Sequence, residues 1–471
     1  MMNTSLNTAS QAKPAMPMIR VCGNQLVAGD KAIRLRGTNL GNWQLQEDFM
    51  LGLYGTHTQM REAFQSVLGP AKAHAFWEEY EEAYFTDLDA AYLQQLGYNL
   101  LRVPLSQNRL ENPNAPGQYD EQALQRLDAL IRACKARGIY VMLDLHAVAG
   151  GQSREIYADS VSAHPDFWRY ADFRQRATDL WVALARRYQN EPTVAGYDLI
   201  NEPHTEGCTA LLTTWLRDTM AAIRRVDTDH VIWLSGDDYG TGTKGLPHDL
   251  WDDPQTAFQF HIYPSFTYPV SKMTQWPEVV DGVCYDDAWL RHHLREPIAF
   301  GREHPVFLGE FGMSFGLGFE AVLQQMVRGF LYLADEENWS WAQWSYKDLG
   351  QMGLVCPAPN TPWKQFLVGP EVQALRDKAN ALFPVKGAST PTADLLANMI
   401  ADLGRQLGDS FVARRPFLSA RRPLDGVLSH AILHRLIDLD EASLRQLARS
   451  FAFEACVPNS TLVPVFKLSA P

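Results

Sequence analysis

A (β/α)8 TIM barrel with a C-terminal helical appendage is the fold this sequence predicts, on three observations. Strand-like apolar segments recur eight times over roughly 330 residues, and segments with helical spacing of their apolar positions lie between them. All but the fifth of those strands run out into a conspicuous polar residue. The first strand is followed by "GTNLGNW", which is not the glycine-rich phosphate turn that a doubly wound open sheet would carry there.

The elements follow in order along the 471 residues. Residues 1–18 read as a disordered tail. They have no basic head followed by an apolar run, so no leader and no membrane span are expected, and the expected location is cytoplasmic. "NQLVAGDKAIRLRG" sets two short apolar stretches around Ala28-Gly29-Asp30, the pattern of a small hairpin. The barrel strands are expected at 35–40, 99–105, 139–146, 194–202, 230–236, 257–263, 305–312 and 339–346. Residues 120–138 form a helix with Leu124, Leu127, Leu130 and Ile131 on one face and Gly138 as its stop, and residues 171–190 repeat the design. The barrel is thus expected over 19–384. Gly387, Ser389, Thr390, Pro391 and Thr392 mark a linker at 385–392, and 393–471 form a mainly helical appendage. Within it Arg414, Arg415, Arg421 and Arg422 cluster, either as a solvated face or as a contact with a partner or second copy.

Composition narrows the function. The net charge is −12 with no long basic block, which argues against nucleic acid as a partner. The six cysteines lie tens of residues apart without a C-x-x-C, so neither a zinc cage nor a disulfide scaffold is signalled.

In a barrel of this kind the C-terminal strand ends share one mouth. Arg102 ends the second strand, His146 the third and Asn201-Glu202 the fourth. His261 and Tyr263 end the sixth, Glu310 the seventh, and Trp344, followed by Lys347, the eighth. A lone strand histidine is ordinarily a satisfied core residue, and a strand-end tryptophan ordinarily packs. Their coincidence points to a site. Carboxylates at the ends of strands four and seven would face each other, and hydrolysis of a glycosidic bond needs such a pair, ~5–5.5 Å apart in a retaining enzyme. Arg102 and the Tyr263 hydroxyl near Glu310 would keep it ionised. Glu202, on an apolar strand beside His261, would stay protonated more readily. Glu202 is therefore the expected acid/base and Glu310 the expected nucleophile. Zinc held by His146, His261 and a carboxylate is the competing arrangement, and no short ligand spacing supports it. No metal or organic cofactor is expected.

Taken together, "GYNLLRVPLS", "LDLHAVAGGQ", "GYDLINEPH", "FHIYP" and "LGEFG" resemble glycoside hydrolase family 5, the cellulase-like family of retaining (β/α)8 enzymes. The resemblance implies the same two roles for Glu202 and Glu310. It further implies that Arg102 and Tyr263 hold the nucleophile, that His146 and Asn201 contact the sugar, that His261 lies near the acid/base, and that Trp344 is the platform beneath the reacting ring. "NLGNWQLQE" is similar to the opening of the family's exo-β-1,3-glucanase branch, in which a glutamate at the offset of Glu47 binds hydroxyls of the terminal glucose and closes the cleft into a pocket. Gln152 matches that branch as well. Asn42 in place of glycine, Ala147-Val148-Ala149 in place of Gly-Ala-Pro, and Ser153-Arg154-Glu155 in place of Asn-Gly depart from it, which leaves the aglycone side open.

Other residues have two readings each. Glu47 is a sugar ligand or a surface-loop carboxylate. Lys347 and Asp348 bind hydroxyls at the pocket rim or form a structural pair. The aromatics of "YPSFTYP" and Trp276 stack on a second sugar or aromatic aglycone, or pack their loop.

The expected activity is exo-acting hydrolysis of terminal β-glucosyl units, from small glycosides or β-glucan oligosaccharides, by double displacement. An endo-β-glucanase, a hydrolase of lipid- or flavonoid-linked sugars and a transglycosylase would share the same pair. A glycan-binding protein on a retired barrel would have lost a carboxylate, and both are present. The expected partner is a carbohydrate or glycoside, and the surface expected to support any homo-oligomer is the C-terminal appendage.

Overall fold

The computed structural model describes residues 16–314, 318–382, 390–406 and 416–468. Most of the expected tail, residues 385–389 of the expected linker, and Arg414 and Arg415 lie outside the described residues.

Eight parallel strands close a barrel in chain order. They are β1 (Arg36–Asn39), β2 (Leu100–Ser106), β3 (Tyr140–Ala147), β4 (Val194–Asp198), β5 (Ile232–Ser235), β6 (Thr256–His261), β7 (Val306–Glu310) and β8 (Ser340–Gln343). All eight expected strands are present. The fourth stops at Asp198 rather than at Glu202, because the chain leaves the sheet before the polar run begins.

The period-2 alternation of a strand sorts side chains between two cores. Leu101, Val103, Leu143 and Leu145 point outward and meet the helices. Leu100, Tyr140, Met142, Trp233 and Phe307 belong to the second cluster, inside the barrel, together with Ile19 and Leu26 from below. The expected hairpin, Gln25–Ala28 with Lys31–Ile33, is extended by a third antiparallel strand, Ile19–Cys22, and this small sheet supplies those two residues. Gly196 allows β4 to approach β5 closely: its φ is 133°, and a Cβ there would stand 2.2 Å from the Val231 carbonyl oxygen.

The helix expected at 120–138 spans Glu121–Arg137. Asp120 caps it by accepting the Ala123 N–H at 3.0 Å, and Gly138 ends it in the left-handed conformation. Leu124, Leu127, Leu130 and Ile131 are all buried on its inner face, each contributing about 1.5–3 kcal/mol relative to exposure. The second expected helix spans Ala171–Tyr188.

Beyond the barrel, helices run over Pro391–Gln406, Pro416–Leu433 and Glu441–Ala448. Strand Cys456–Pro458 then pairs antiparallel with Val355–Pro357, and the Tyr98 hydroxyl donates to the Phe466 carbonyl at 3.2 Å. Ser429 exchanges hydrogen bonds with the backbone of Tyr54, both at 2.7 Å. A solvated face at Arg422 is not what the structure has. That residue is 4% exposed, and its Nη2 donates to the Arg154 carbonyl at 2.8 Å, which ties the helix to the loop after β3. No described helix is long and apolar enough to cross a membrane.

Candidate active site

Above the apolar floor of the barrel lies a layer of buried charge. Arg102 of β2 is fully buried. Its Nε and Nη2 donate to Asp198 Oδ2 at 2.9 and 2.7 Å, Nη2 also to Asn201 Oδ1 at 2.9 Å, and Nη1 to Asn39 Oδ1 at 2.9 Å and to Glu310 Oε1 at 2.7 Å. Asp144 Oδ2 stands 3.1 Å from Nη2. Burial opposes the charge on Arg102, but Asp144, Asp198 and Glu310 outweigh it and hold the guanidinium protonated. Arg102, expected to hold the nucleophile, is thus a buried strut on Glu310 beneath the site, outside the cavity wall.

Asp144 and Asp198 face each other in register on β3 and β4. Burial pushes the Asp144 carboxyl up to about 7 and that of Asp198 up to about 6, in both cases against the pull of Arg102. A carboxyl raised from about 4 unfolded to about 7 folded binds more protons in the native state. Its stabilising contribution is complete below about pH 4 and fades as pH rises toward 7. Asp144→Asn is therefore expected to gain stability relative to the parent as pH rises. Its melting temperature should compare more favourably at about pH 8 than at about pH 5, which scanning calorimetry would measure.

Glu310 ends β7. Strict alternation from outward-facing Leu308 would send it away from the barrel interior, but the register shifts between Leu308 and Glu310 and pairs Glu310 with His261 of β6. Its carboxylate accepts from Arg102 and from the Tyr263 hydroxyl, both at 2.7 Å. Glu202 lies in the turn after β4 with φ 42°, a left-handed conformation that costs a residue with a Cβ about 1–2 kcal/mol. Its Oε1 stands 2.8 Å from His261 Nδ1. Burial raises the Glu202 pKa, so it holds its proton to higher pH than an ordinary carboxyl.

An oxygen of Glu202 and one of Glu310 come within 4.8 Å of each other. That is short of the ~6.5–9.5 Å that leaves room for a water between the carboxyls of an inverting pair. His261 brings a nitrogen within the same distance of both, a spacing a cation could use. The Arg102 guanidinium on Glu310 already supplies the positive charge there.

His146 and His261 are each lowered to about 4, by burial first, and so are neutral imidazoles near neutral pH. Asn201 Nδ2 lies 3.2 Å from His146 Nε2, and Asp144 Oδ2 lies 2.6 Å from Nδ1. In a neutral ring next to an amide donor, Nε2 accepts and Nδ1 carries the hydrogen. The His146 ring stacks against Trp344 at 5.3 Å between centroids and 23° between planes. Gly41 makes room for that indole: a Cβ there would meet Trp344 Cζ2 at 2.8 Å.

A cavity of ≈ 520 Å³ joins these groups. Glu47, His146, Asn201, Glu202, His261, Tyr263, Glu310 and Trp344, all expected in the site, line it. Glu47 is buried and does not cap the helix it precedes. Burial, and then the nearby Glu310, raise its pKa well above the carboxylate range. Asn42, the departure from glycine, keeps a left-handed φ of 69°, which asparagine adopts more readily than other residues with a Cβ.

Lys347 is not at the rim. It is fully buried, and its ammonium donates to the Tyr84 carbonyl at 2.6 Å, Asp89 Oδ1 at 2.8 Å and the Phe451 carbonyl at 2.8 Å, so no donor is left for a substrate. Asp348 is likewise occupied, by the N–H groups of Gly350 and Met352 at 2.6 and 2.7 Å. Trp276 also lies away from the cavity, its indole N–H donating to Asp287 at 3.3 Å. Phe49, Tyr157, Tyr239 and Met352 line the cavity without having been expected there.

A closed parallel barrel with two carboxyls this close at its mouth fits a retaining glycoside hydrolase. The chain belongs to the cellulase family, glycosyl hydrolase family 5, whose model matches residues 63–350. It is 28% identical over 473 residues to a beta-xylosidase of Phanerodontia chrysosporium, covering 95% of this chain and 97% of that protein. It is also 28% identical over 208 residues to a probable glucan 1,3-beta-glucosidase A of Aspergillus clavatus, where the match takes in 43% of this chain and 49% of the relative. Among solved structures, endogalactoceramidase superposes with a TM-score of 0.52 at 18% identity, over 70% of this chain and 75% of that one, a likeness of fold.

Proposed function

We propose that the protein is an exo-acting retaining β-glycosidase that removes terminal β-glucosyl units from small glycosides. Glu310 attacks the anomeric carbon while Glu202 protonates the departing oxygen. Glu202 then takes a proton from water as that water releases the sugar from Glu310. The observation that carries exo action is Glu47. Its buried carboxyl faces the cavity beside Glu310 and suits the hydroxyls of a ring that ends the chain. Trp344, stacked on His146, supplies the apolar face for that ring.

A β-xyloside is the second reading. The relative that matches this chain through its C-terminal segment is a beta-xylosidase, while the glucan 1,3-beta-glucosidase relative matches under half of it. A panel of 4-nitrophenyl β-glycosides tests both. Release from the glucoside well above the xyloside supports the first reading, and the reverse supports the second. Rapid shortening of a laminarin or cello-oligosaccharide ladder from within, with no release of single sugars, would overturn exo action.

A further inference from the structure

We propose that Arg422 is a positioning residue of the active site, through which the C-terminal segment sets two walls of the cavity, the one carrying Glu47 and Phe49 and the one carrying Ile156 and Tyr157. The inference rests on the exo-glycosidase reading given above. Glu47 and Phe49 stand on the loop after β1, Ile156 and Tyr157 on the loop after β3, and all four line the cavity. The helix Pro416–Leu433 bonds both loops.

The loop after β1 is buried at Leu51 and Tyr54, so its backbone groups need partners within the protein. Residues beyond the barrel strands supply them. The Trp363 indole N–H donates to the Leu51 carbonyl at 2.8 Å, and Arg376 Nη2 to the Gly52 carbonyl at 2.6 Å. The Ser429 hydroxyl accepts from the Tyr54 N–H and donates to the Tyr54 carbonyl, both at 2.7 Å.

In the loop after β3, Arg422 Nη2 donates to the Arg154 carbonyl at 2.8 Å, just before Ile156. Just after Tyr157, Asp159 accepts from the Thr58 N–H at 2.8 Å and from its hydroxyl at 2.6 Å. Gln59, next to Thr58, donates to the Arg422 carbonyl at 3.0 Å. Chain and hydrogen bonds thus close a ring that starts and ends at Arg422. Ser429 lies two turns further along the same helix face and extends the ring to Tyr54.

Arg422 is the joint, since both its side chain and its own carbonyl take part. It is 4% exposed, and its Nε has no hydrogen-bond partner among the described residues. Burying a cation this way is costly. An apolar side chain would fill the space without that cost, but it could not hold the Arg154 carbonyl. Glu202, Glu310 and Arg102 stand in the turn after β4, on β7 and on β2, outside the ring. Its loss therefore reaches substrate binding before it reaches the chemistry.

Arg422→Met in the full chain is expected to raise KM about tenfold on the 4-nitrophenyl β-glycoside of the preferred sugar, while kcat stays within about threefold. Arg422→Lys still offers a donor to the Arg154 carbonyl and should bring KM back to within about threefold of the parent. Hydrogen exchange read by mass spectrometry follows the walls without turnover. Peptides over residues 48–56 and 153–159 should exchange about tenfold faster in Arg422→Met, with the peptide over β3 unchanged. Ser429→Ala, a milder cut, should speed exchange over 48–56 alone, and unchanged exchange there counts against the ring even if Arg422→Met does not fold. A fall in kcat with KM unmoved, no recovery by lysine, or parental protection over 153–159 in Arg422→Met would overturn the proposal. A parent chain inactive on every glycoside would count against the hydrolytic reading, and the exchange would still decide for or against Arg422.

Discussion

Glu310→Gln is expected to lower kcat/KM on a 4-nitrophenyl β-glycoside by at least about 10⁴-fold, equivalent to about 5.5 kcal/mol of transition-state stabilisation. Glutamine keeps the volume of the side chain and can still accept from the Tyr263 hydroxyl, now 2.7 Å away. Its amide is a poor nucleophile, and it leaves the Arg102 Nη1 donor without an anion. Activity loss alone does not separate nucleophile from acid/base, but product configuration does. With Glu310→Gly, the vacated face lies opposite the leaving group. Azide entering there attacks an activated β-glycoside in line and gives the α-glycosyl azide. With Glu202→Gly the covalent glycosyl-enzyme still forms on Glu310, and azide intercepts it from the other face to give the β-glycosyl azide. Proton NMR of the anomeric coupling distinguishes the two products. The assignment fails if the configurations come out exchanged, or if Glu310→Gln keeps more than about a hundredth of the parent rate.

The barrel was legible because strand alternation and helix spacing are local signals. Leu101, Val103 and Leu105 alternate with Leu100 and Arg102, and Asp120 and Gly138 punctuate one helix at the residues that end it. Strand ends were legible for the same reason, and they named His146, Asn201, Glu202, His261, Tyr263, Glu310 and Trp344 of the cavity wall. Asp144 and Asp198 also left a signal, a carboxylate inside an otherwise apolar strand, which is costly to bury without a partner. Other placements had no local signature. Lys347 finds its acceptors 263, 258 and 104 residues away, so nothing around it in the chain distinguishes a buried ammonium from a rim residue. Arg422 bonds a carbonyl 268 residues distant. The inward aim of Glu310 depends on an irregularity in the β6–β7 ladder that the letters of "VFLGEFG" do not specify.

Arg102→Met is expected to have the largest effect on stability of any substitution in the site. The guanidinium touches Asp144, Asp198 and Glu310, and all its donors are engaged within the barrel. Removing the cation leaves three carboxyls around a buried apolar side chain. Breaking a buried ion pair by deleting one partner costs about 3–5 kcal/mol, a large fraction of the ~5–15 kcal/mol that holds a domain folded. The pH dependence identifies the cause. Without their counter-ion Asp144 and Asp198, whose pKa values already stand above the unfolded ones, lose the charge that pulled them down and favour protonation in the native state still more. Stability is then retained below about pH 4 and lost as pH rises. The melting temperature of Arg102→Met should therefore lie nearest the parent's at about pH 4–5 and fall progressively behind toward about pH 8. Arg102→Lys separates charge from geometry. An ammonium restores one positive charge but cannot fork between Asp198, Asn201, Asn39 and Glu310. It should recover much of the stability at neutral pH while kcat/KM stays about 10²-fold down, because Glu310 is no longer held where Tyr263 meets it. A gap between Arg102→Met and the parent that does not change with pH would mean that lost packing, rather than uncompensated charge, sets the cost.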